Sequence, residues 1–217
     1  VLCGLLTLFI YPLIYIYEKM FGLVSDVSLL ELSDTNSSLL KELSNKAPGT
    51  FHHSINVANL AEACANEINA NALLSRVGGL HHDIGKILNP SFFTENQLSE
   101  QNPHDNISSK ESVETIKRHV VDGVKLAKNA GIPERVIEFI KTHHGTNLIG
   151  YFYNKEAKLD PEIKKVDFRY DGPKPFSVEM ALVMMCDSVE AATKSLDKPD
   201  NDKIDSFVET IIDKQVE

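Results

Sequence analysis

Three cysteines in 217 residues, Cys3, Cys64 and Cys186, are too few and too scattered for a disulfide framework or a thiolate zinc site. Cys64 and Cys186 lie in apolar stretches and are expected as buried free thiols, the usual state in a reducing compartment. Positive charge is also short: 22 Lys and Arg against 31 Asp and Glu leave a net charge of −9. A binder of nucleic-acid polymers needs a basic face to pair with phosphates, so this composition argues against one. A small anionic ligand is still allowed where a metal site supplies local positive charge. No positive start with a small-residue cleavage site marks a signal peptide. No strand pattern of any length occurs, nor any internal repeat, so the expected fold class is all-α. Hydrophobic residues at 42% and charged residues at 24% are an ordinary globular mix, enough for one domain with a sizeable core and an appendage.

What is present begins with an uncharged run, residues 1–17 (VLCGLLTLFIYPLIYIY), followed by Glu18-Lys19. Its length sits at the lower edge for a membrane-spanning helix, roughly 17–25 residues. Pro12 is tolerated in such a helix, and Tyr11, Tyr15, Tyr17 and Phe21 suit an interfacial aromatic belt. Since the first residue is Val1, residues 1–21 are expected to be the end of a truncated transmembrane helix. The flanking charges give no positive-inside signal. Residues 22–47 read as a helical connector with a capped turn at Ser37-Ser38-Leu39-Leu40-Lys41-Glu42-Leu43, and Ala47-Pro48-Gly49-Thr50 reads as a break. Residues 48–217 form the main domain, ending without an obvious domain terminus. Helical periodicity predicts helices over 51–68, from an Asn71 cap to about Leu88, over 112–130, from Pro133 to about Thr142, over 177–195, and from Lys203 onward. Polar, turn-rich loops are expected over 94–110 and 160–175.

Histidine and aspartate carry the chemistry. His82-Asp83 is expected mid-helix, and His53, His119, His143, His144 and Asp187 fall on four other segments. Imidazole nitrogens and carboxylate oxygens suit iron(II), manganese or zinc, and a helical bundle can aim them at one point. Adjacent helical residues diverge by about 100°. His82 and Asp83 therefore do not chelate one ion as a symmetric pair, whereas Asp83 has two oxygens and can bridge two ions. Lys86, one turn from His82, is placed to contact a phosphate oxygen. His52, His81 and His104 are read as structural or solvated. Glu95, Asn96 and Gln97 fit site lining or loop chemistry, and Tyr151, Phe152 and Tyr153 fit a stacking surface or core.

The order His53…His82-Asp83…Asp187, with the extension His82-Asp83-Ile84-Gly85-Lys86, resembles the HD-domain phosphohydrolases. His119, His143 and His144 match the dinuclear branch of that superfamily. Pro48-Gly49-Thr50-Phe51-His52-His53-Ser54, Phe92-Phe93-Thr94-Glu95-Asn96-Gln97, Asn102-Pro103-His104-Asp105 and His143-His144-Gly145-Thr146 are similar to one branch in particular. These are the membrane-anchored cyclic-di-AMP phosphodiesterases of the PgpH type, seven-transmembrane receptors with an intracellular HD domain. The resemblance covers nearly the whole chain and implies an HD helical bundle with two divalent transition-metal ions, iron or manganese. One ion would be held by His53, His82, Asp83 and Asp187, the other by His119, His143 and His144, with Asp83 bridging. Two ions and two carboxylates leave a positive site, which suits a phosphodiester anion. The implied reaction is two-metal hydrolysis of cyclic di-AMP, or a related cyclic dinucleotide, to linear pApA, with Asp83 and Lys86 as catalytic residues and Lys86 also touching substrate. It also implies a cell-membrane protein with a cytoplasmic catalytic domain. The stretch Gly145-Thr146-Asn147-Leu148-Ile149-Gly150-Tyr151-Phe152 lacks the Gly-Tyr-Pro signature of cyclic-di-GMP phosphodiesterases. Hydrolysis of (p)ppGpp or a nucleotide, and nucleotide binding without catalysis, are the rival readings.

Overall fold

Proline, glycine and capping residues divide the chain into short helices, and the computed structural model describes residues 2–97, 101–160, 162–194 and 201–216 of it. Among these the fold is all-α, and the only β feature is an isolated bridge between Leu148 and Arg169. The first apolar run is not one helix: α1 (Leu2–Thr7) and α2 (Ile10–Phe21) are separated at Leu8-Phe9. Pro12 sits in the first turn of α2, where backbone N–H groups have no intrahelical partner to lose. Among the described residues no helix is long and apolar enough to cross a membrane. Leu13, Ile16, Tyr17, Met20 and Phe21 on α2 are nonetheless exposed.

The following stretch packs onto the bundle. Leu29 of α3 (Asp26–Leu32) and Leu39, Leu40 and Leu43 of α4 (Ser38–Lys46) are buried. The expected break at 47–50 shrinks to Ala47, because Pro48 takes the first position of α5 (Pro48–Glu67), where its fixed φ is favourable. Asn71 does cap α6 (Ala72–His81), its side chain accepting from Leu74 N at 2.9 Å. That helix stops at His81, however, and a 3₁₀ turn covers Ile84–Leu88. His82 and Asp83 thus stand at a helix end rather than mid-helix, as expected above.

A capping box between Ser108 and Glu111 starts α7 (Ser109–Asn129) earlier than periodicity predicted. α8 (Glu134–Thr142) ends at His143, and α9 (Gly150–Ala157) has no counterpart in the sequence reading. α10 (Val178–Thr193) and α11 (Asn201–Val216) complete the fold. The core lies around α5 and α6. Ala58, Leu80, Ile84 and Ile140 join α4 and α7 on one side; Val57, Val77, Phe139 and Val183 join α8 and α10 on the other. Gly79 lets α6 reach α5, since a Cβ there would lie 2.7 Å from Ala58 Cα. Cys186 is buried in this core and its thiol is pushed up to about 12, by burial first and by the neighbouring Cys64 second. Cys64 itself is exposed, contrary to expectation, because Ala61 and Ala65 form the buried stripe of α5.

Candidate metal centre

All seven expected ligands converge. His53 comes from α5, His82 and Asp83 from the end of α6, His119 from α7, His143 and His144 from the end of α8, and Asp187 from α10. They form two groups whose ligand atoms lie within 4.8 Å of one another: His53, His82 and Asp187, and Asp83, His119, His143 and His144. Asp83 stands between them. Its Oδ1 is 3.3 Å from His119 Nε2 and 3.5 Å from His143 Nε2; its Oδ2 is 3.2 Å from His82 Nε2 and 3.7 Å from His53 Nε2.

The helix ends and turns fix which nitrogen faces inward. Nδ1 of His82 lies 2.7 Å from Gly79 O, that of His119 2.5 Å from Ile116 O, and that of His143 2.9 Å from Ile140 O. A carbonyl only accepts, so Nδ1 carries the proton and Nε2 keeps its lone pair for a ligand. At the centre, His82 Nε2 and Asp83 Oδ1 are buried without a hydrogen-bond partner. Buried polar atoms are nearly always partnered. A cluster of inward lone pairs and carboxylate oxygens is the arrangement that a divalent cation satisfies, so the residues fit two ions sharing Asp83.

Burial opposes charge here, yet it does not act alike on every group. It drives His119 down to about 3 and His144 well below the ordinary histidine value, leaving both neutral. Burial also lowers His53, but hydrogen bonds to Asp187 and Glu190 outweigh it and raise the group to about 9. For Asp83, burial works against the anion, while Lys86 and His82 prevail and hold its carboxyl well below the usual range. Asp187 is likewise lowered, its hydrogen bond from His53 overcoming burial. A protonated His53 cannot bind an ion, so metal uptake below pH 9 must release its proton. Apparent affinity at this position is expected to rise about tenfold per pH unit from 7 to 9. Calorimetric titration in buffers of different ionisation enthalpy measures this; no proton release at pH 7 would contradict it.

Glu190 escaped the sequence reading. One turn beyond Asp187, its Oε2 lies 2.5 Å from His53 Nδ1, and its Oε1 accepts from Asn56 Nδ2 at 3.0 Å. Burial raises its pKa, but the His53 hydrogen bond dominates and holds it at about 2, so it is ionised. The only sequence signal was a carboxylate three residues after a ligand on the same helix. Carboxylates that orient a ligating histidine typically contribute 10–100-fold in metal affinity. Glu190→Ala is expected to weaken the His53 ion by about that factor, read by competition with a chelating dye. Unchanged affinity would remove Glu190 from the centre.

Lys86 lines the cavity edge, already paired with two carboxylates. Its Nζ is 2.7 Å from Asp83 Oδ2 and 2.8 Å from Glu95 Oε1. Glu95 also accepts from Thr50 Oγ1 at 3.0 Å, and Asn96 Oδ1 accepts from Thr50 N at 3.0 Å. These residues clamp the 94–96 turn to the start of α5, while Gln97 bonds Ser91 O and Asn102. Tyr170, which no motif marked, stacks on His144 at 4.1 Å and 24°. The aromatic trio splits: Phe152 is buried, Tyr153 packs against Phe168, and Tyr151 is exposed. His81 is buried with Nδ1 on Val77 O, His104 is buried with Nε2 on Phe92 O, and His52 is exposed. None of the three joins the ligand groups.

Two cavities open beside the centre. One of about 590 Å³ is lined by His53, Lys86, Glu95, His144, Asp187 and Lys194, among others. The other, about 470 Å³, includes Phe93, His119, Tyr151 and Tyr170, and shares Lys86, Thr94, Glu95 and His144 with the first.

Fold and site together define a helical bundle holding two histidine-rich ligand groups around a shared carboxylate. The HD domain family matches residues 50–192, and the chain belongs to it. It is 47% identical over 197 residues to cyclic-di-AMP phosphodiesterase PgpH of Listeria monocytogenes serotype 1/2a, over 91% of this chain and 27% of that protein. The PgpH of Bacillus subtilis is 41% identical over 201 residues, over 93% of this chain and 28% of that one. The chain thus spans about a quarter of the length of these curated relatives. The crystal structure of the L. monocytogenes PgpH HD domain in complex with cyclic-di-AMP matches with a TM-score of 0.81 at 46% identity, over 84% of this chain and 86% of that one.

Proposed function

We propose that this chain is a metal-dependent phosphodiesterase that hydrolyses cyclic di-AMP to linear pApA. The observation that carries the reading is Asp83, whose two oxygens face different ligand groups. A mononuclear phosphohydrolase of this family needs only His53, His82, Asp83 and Asp187. The intact second group of His119, His143 and His144 favours the dinuclear reaction, and the names of the PgpH relatives support the substrate. Iron or manganese suits the nitrogen and oxygen donors. Bound there, two such ions would supply Lewis acidity toward a phosphoryl oxygen and a water of lowered pKa. The chain's own residues position and neutralise. Asp83 would join the two groups, Glu190 orients His53, and Lys86 with Glu95 holds Asp83 from the cavity side. Hydrolysis by the chain loaded anaerobically with iron(II) or manganese, run on cyclic di-AMP, cyclic di-GMP and ppGpp, tests this. Preferential conversion of cyclic di-AMP to pApA is expected. Faster turnover of ppGpp would move the protein to another reaction, and binding without turnover would make it a receptor domain.

We also infer attachment to the cell membrane through residues 1–21, with the catalytic domain on the cytoplasmic side. The exposed apolar residues of α2 support it. Flotation with liposomes that persists after removal of residues 1–21 would count against it.

A further inference from the structure

A cyclic dinucleotide carries two phosphodiester groups, and the metal centre accounts for one. The second brings a full negative charge into a cavity walled by Asp187 and Glu95 and must meet a cation there. Among the described residues, Lys86 and Lys194 are the cations lining the cavity that holds His53 and Asp187. Lys86 is committed to Asp83 and Glu95, and its side chain is only 11% exposed. Lys194 is different. It stands one turn after Glu190 at the end of α10, 51% exposed, with its Nζ 2.9 Å from Glu190 Oε2. An ammonium has three donors. One is spent on Glu190, and the others are available at the rim.

Resting on the phosphodiesterase reading above, we propose that Lys194 binds the second, non-reacting phosphodiester, and so selects a ring with two phosphates over a single phosphodiester. Glu190 serves both ends of this arrangement, holding the His53 ring with one contact and tethering the Lys194 ammonium with another. Lys194 directly follows the helix that supplies Asp187, which ends at Thr193.

Steady-state kinetics of the metal-loaded chain and its Lys194→Ala and Lys194→Arg variants test this, on cyclic di-AMP and on bis(p-nitrophenyl) phosphate, which has one phosphodiester. Loss of a charged hydrogen bond to substrate predicts about a tenfold rise in KM for cyclic di-AMP in Lys194→Ala, with kcat within about twofold. The single phosphodiester should be unaffected, Lys194→Arg should restore KM, and both variants should keep two ions per chain. An unchanged KM for cyclic di-AMP overturns the inference. An equal loss on both substrates, or a lost ion, overturns it too, assigning Lys194 to support of Glu190 and the metal. A wild-type chain that cleaves bis(p-nitrophenyl) phosphate but not cyclic di-AMP would sink the substrate reading, and this inference with it.

Discussion

Asp83→Ala is expected to empty both metal positions and lower cyclic-di-AMP hydrolysis by at least ~10³-fold, since the ions supply several kcal/mol of transition-state stabilisation. Asp83 meets both ligand groups through separate oxygens, Oδ1 at 3.3 and 3.5 Å and Oδ2 at 3.2 and 3.7 Å, whereas Asp187 meets His53 at 2.9 Å through Oδ1 and reaches His144 at 3.8 Å through Oδ2. Removal of Asp83 leaves His53, His82 and Asp187 as one set and His119, His143 and His144 as another, with a single carboxylate between the two ions. Two divalent charges held by one anion repel more than the remaining imidazoles can offset. Lys86 keeps its contact with Glu95 in the variant, so the fold has a partner for the buried ammonium. Asp83→Asn should fall between the two, retaining an oxygen ligand but not the charge. Elemental analysis and pApA formation read these outcomes together. A variant that retains both ions and most of its turnover would show that Asp83 does not bridge.

Gly85→Ala should act on the same centre from behind. A Cβ on Gly85 would lie 1.8 Å from His119 O and 2.6 Å from Gly123 N. Both are backbone atoms of α7, and neither can rotate away. The helix must move outward, and His119 moves with it. Overpacking of this kind costs about 3 kcal/mol or more, which for a chain of this size lowers Tm by roughly 6–12 °C. The ion at His119, His143 and His144 should weaken most, since His53 and Asp187 lie on other helices. A melting temperature within about 2 °C of wild type, with normal metal content, would mean α7 is not held where the glycine places it.

These two positions also show what the sequence could reveal. The seven candidate ligands that the fold brings together were legible because histidine and aspartate have few other uses in a buried helix, and because of their order along the chain. The helices around them were legible from apolar spacing, as in α5 and α10. Where α6 ends was not: the chain is apolar and periodic past Leu80, yet helix gives way to a 3₁₀ turn over Ile84–Leu88, where Gly85 packs tightly under α7. Propensity cannot register a contact made with residues 34 or more positions away. Glu190 is invisible for a related reason, since a helix-surface glutamate and one buried against a histidine have the same local sequence. The pairing of Lys86 with Asp83 is local, three residues apart, but its second partner Glu95 comes from the turn at Thr94–Asn96, whose return to Lys86 no sequence pattern marks. α9 is short and carries its aromatics on both faces, so Tyr151 and Phe152 gave no period to read.

The most direct test of the account is the rate of pApA formation against equivalents of iron(II) or manganese added anaerobically to the metal-free chain. The shared carboxylate predicts little turnover at one equivalent and a plateau at two. A plateau reached at one equivalent would contradict the dinuclear centre and return the site to a mononuclear phosphohydrolase.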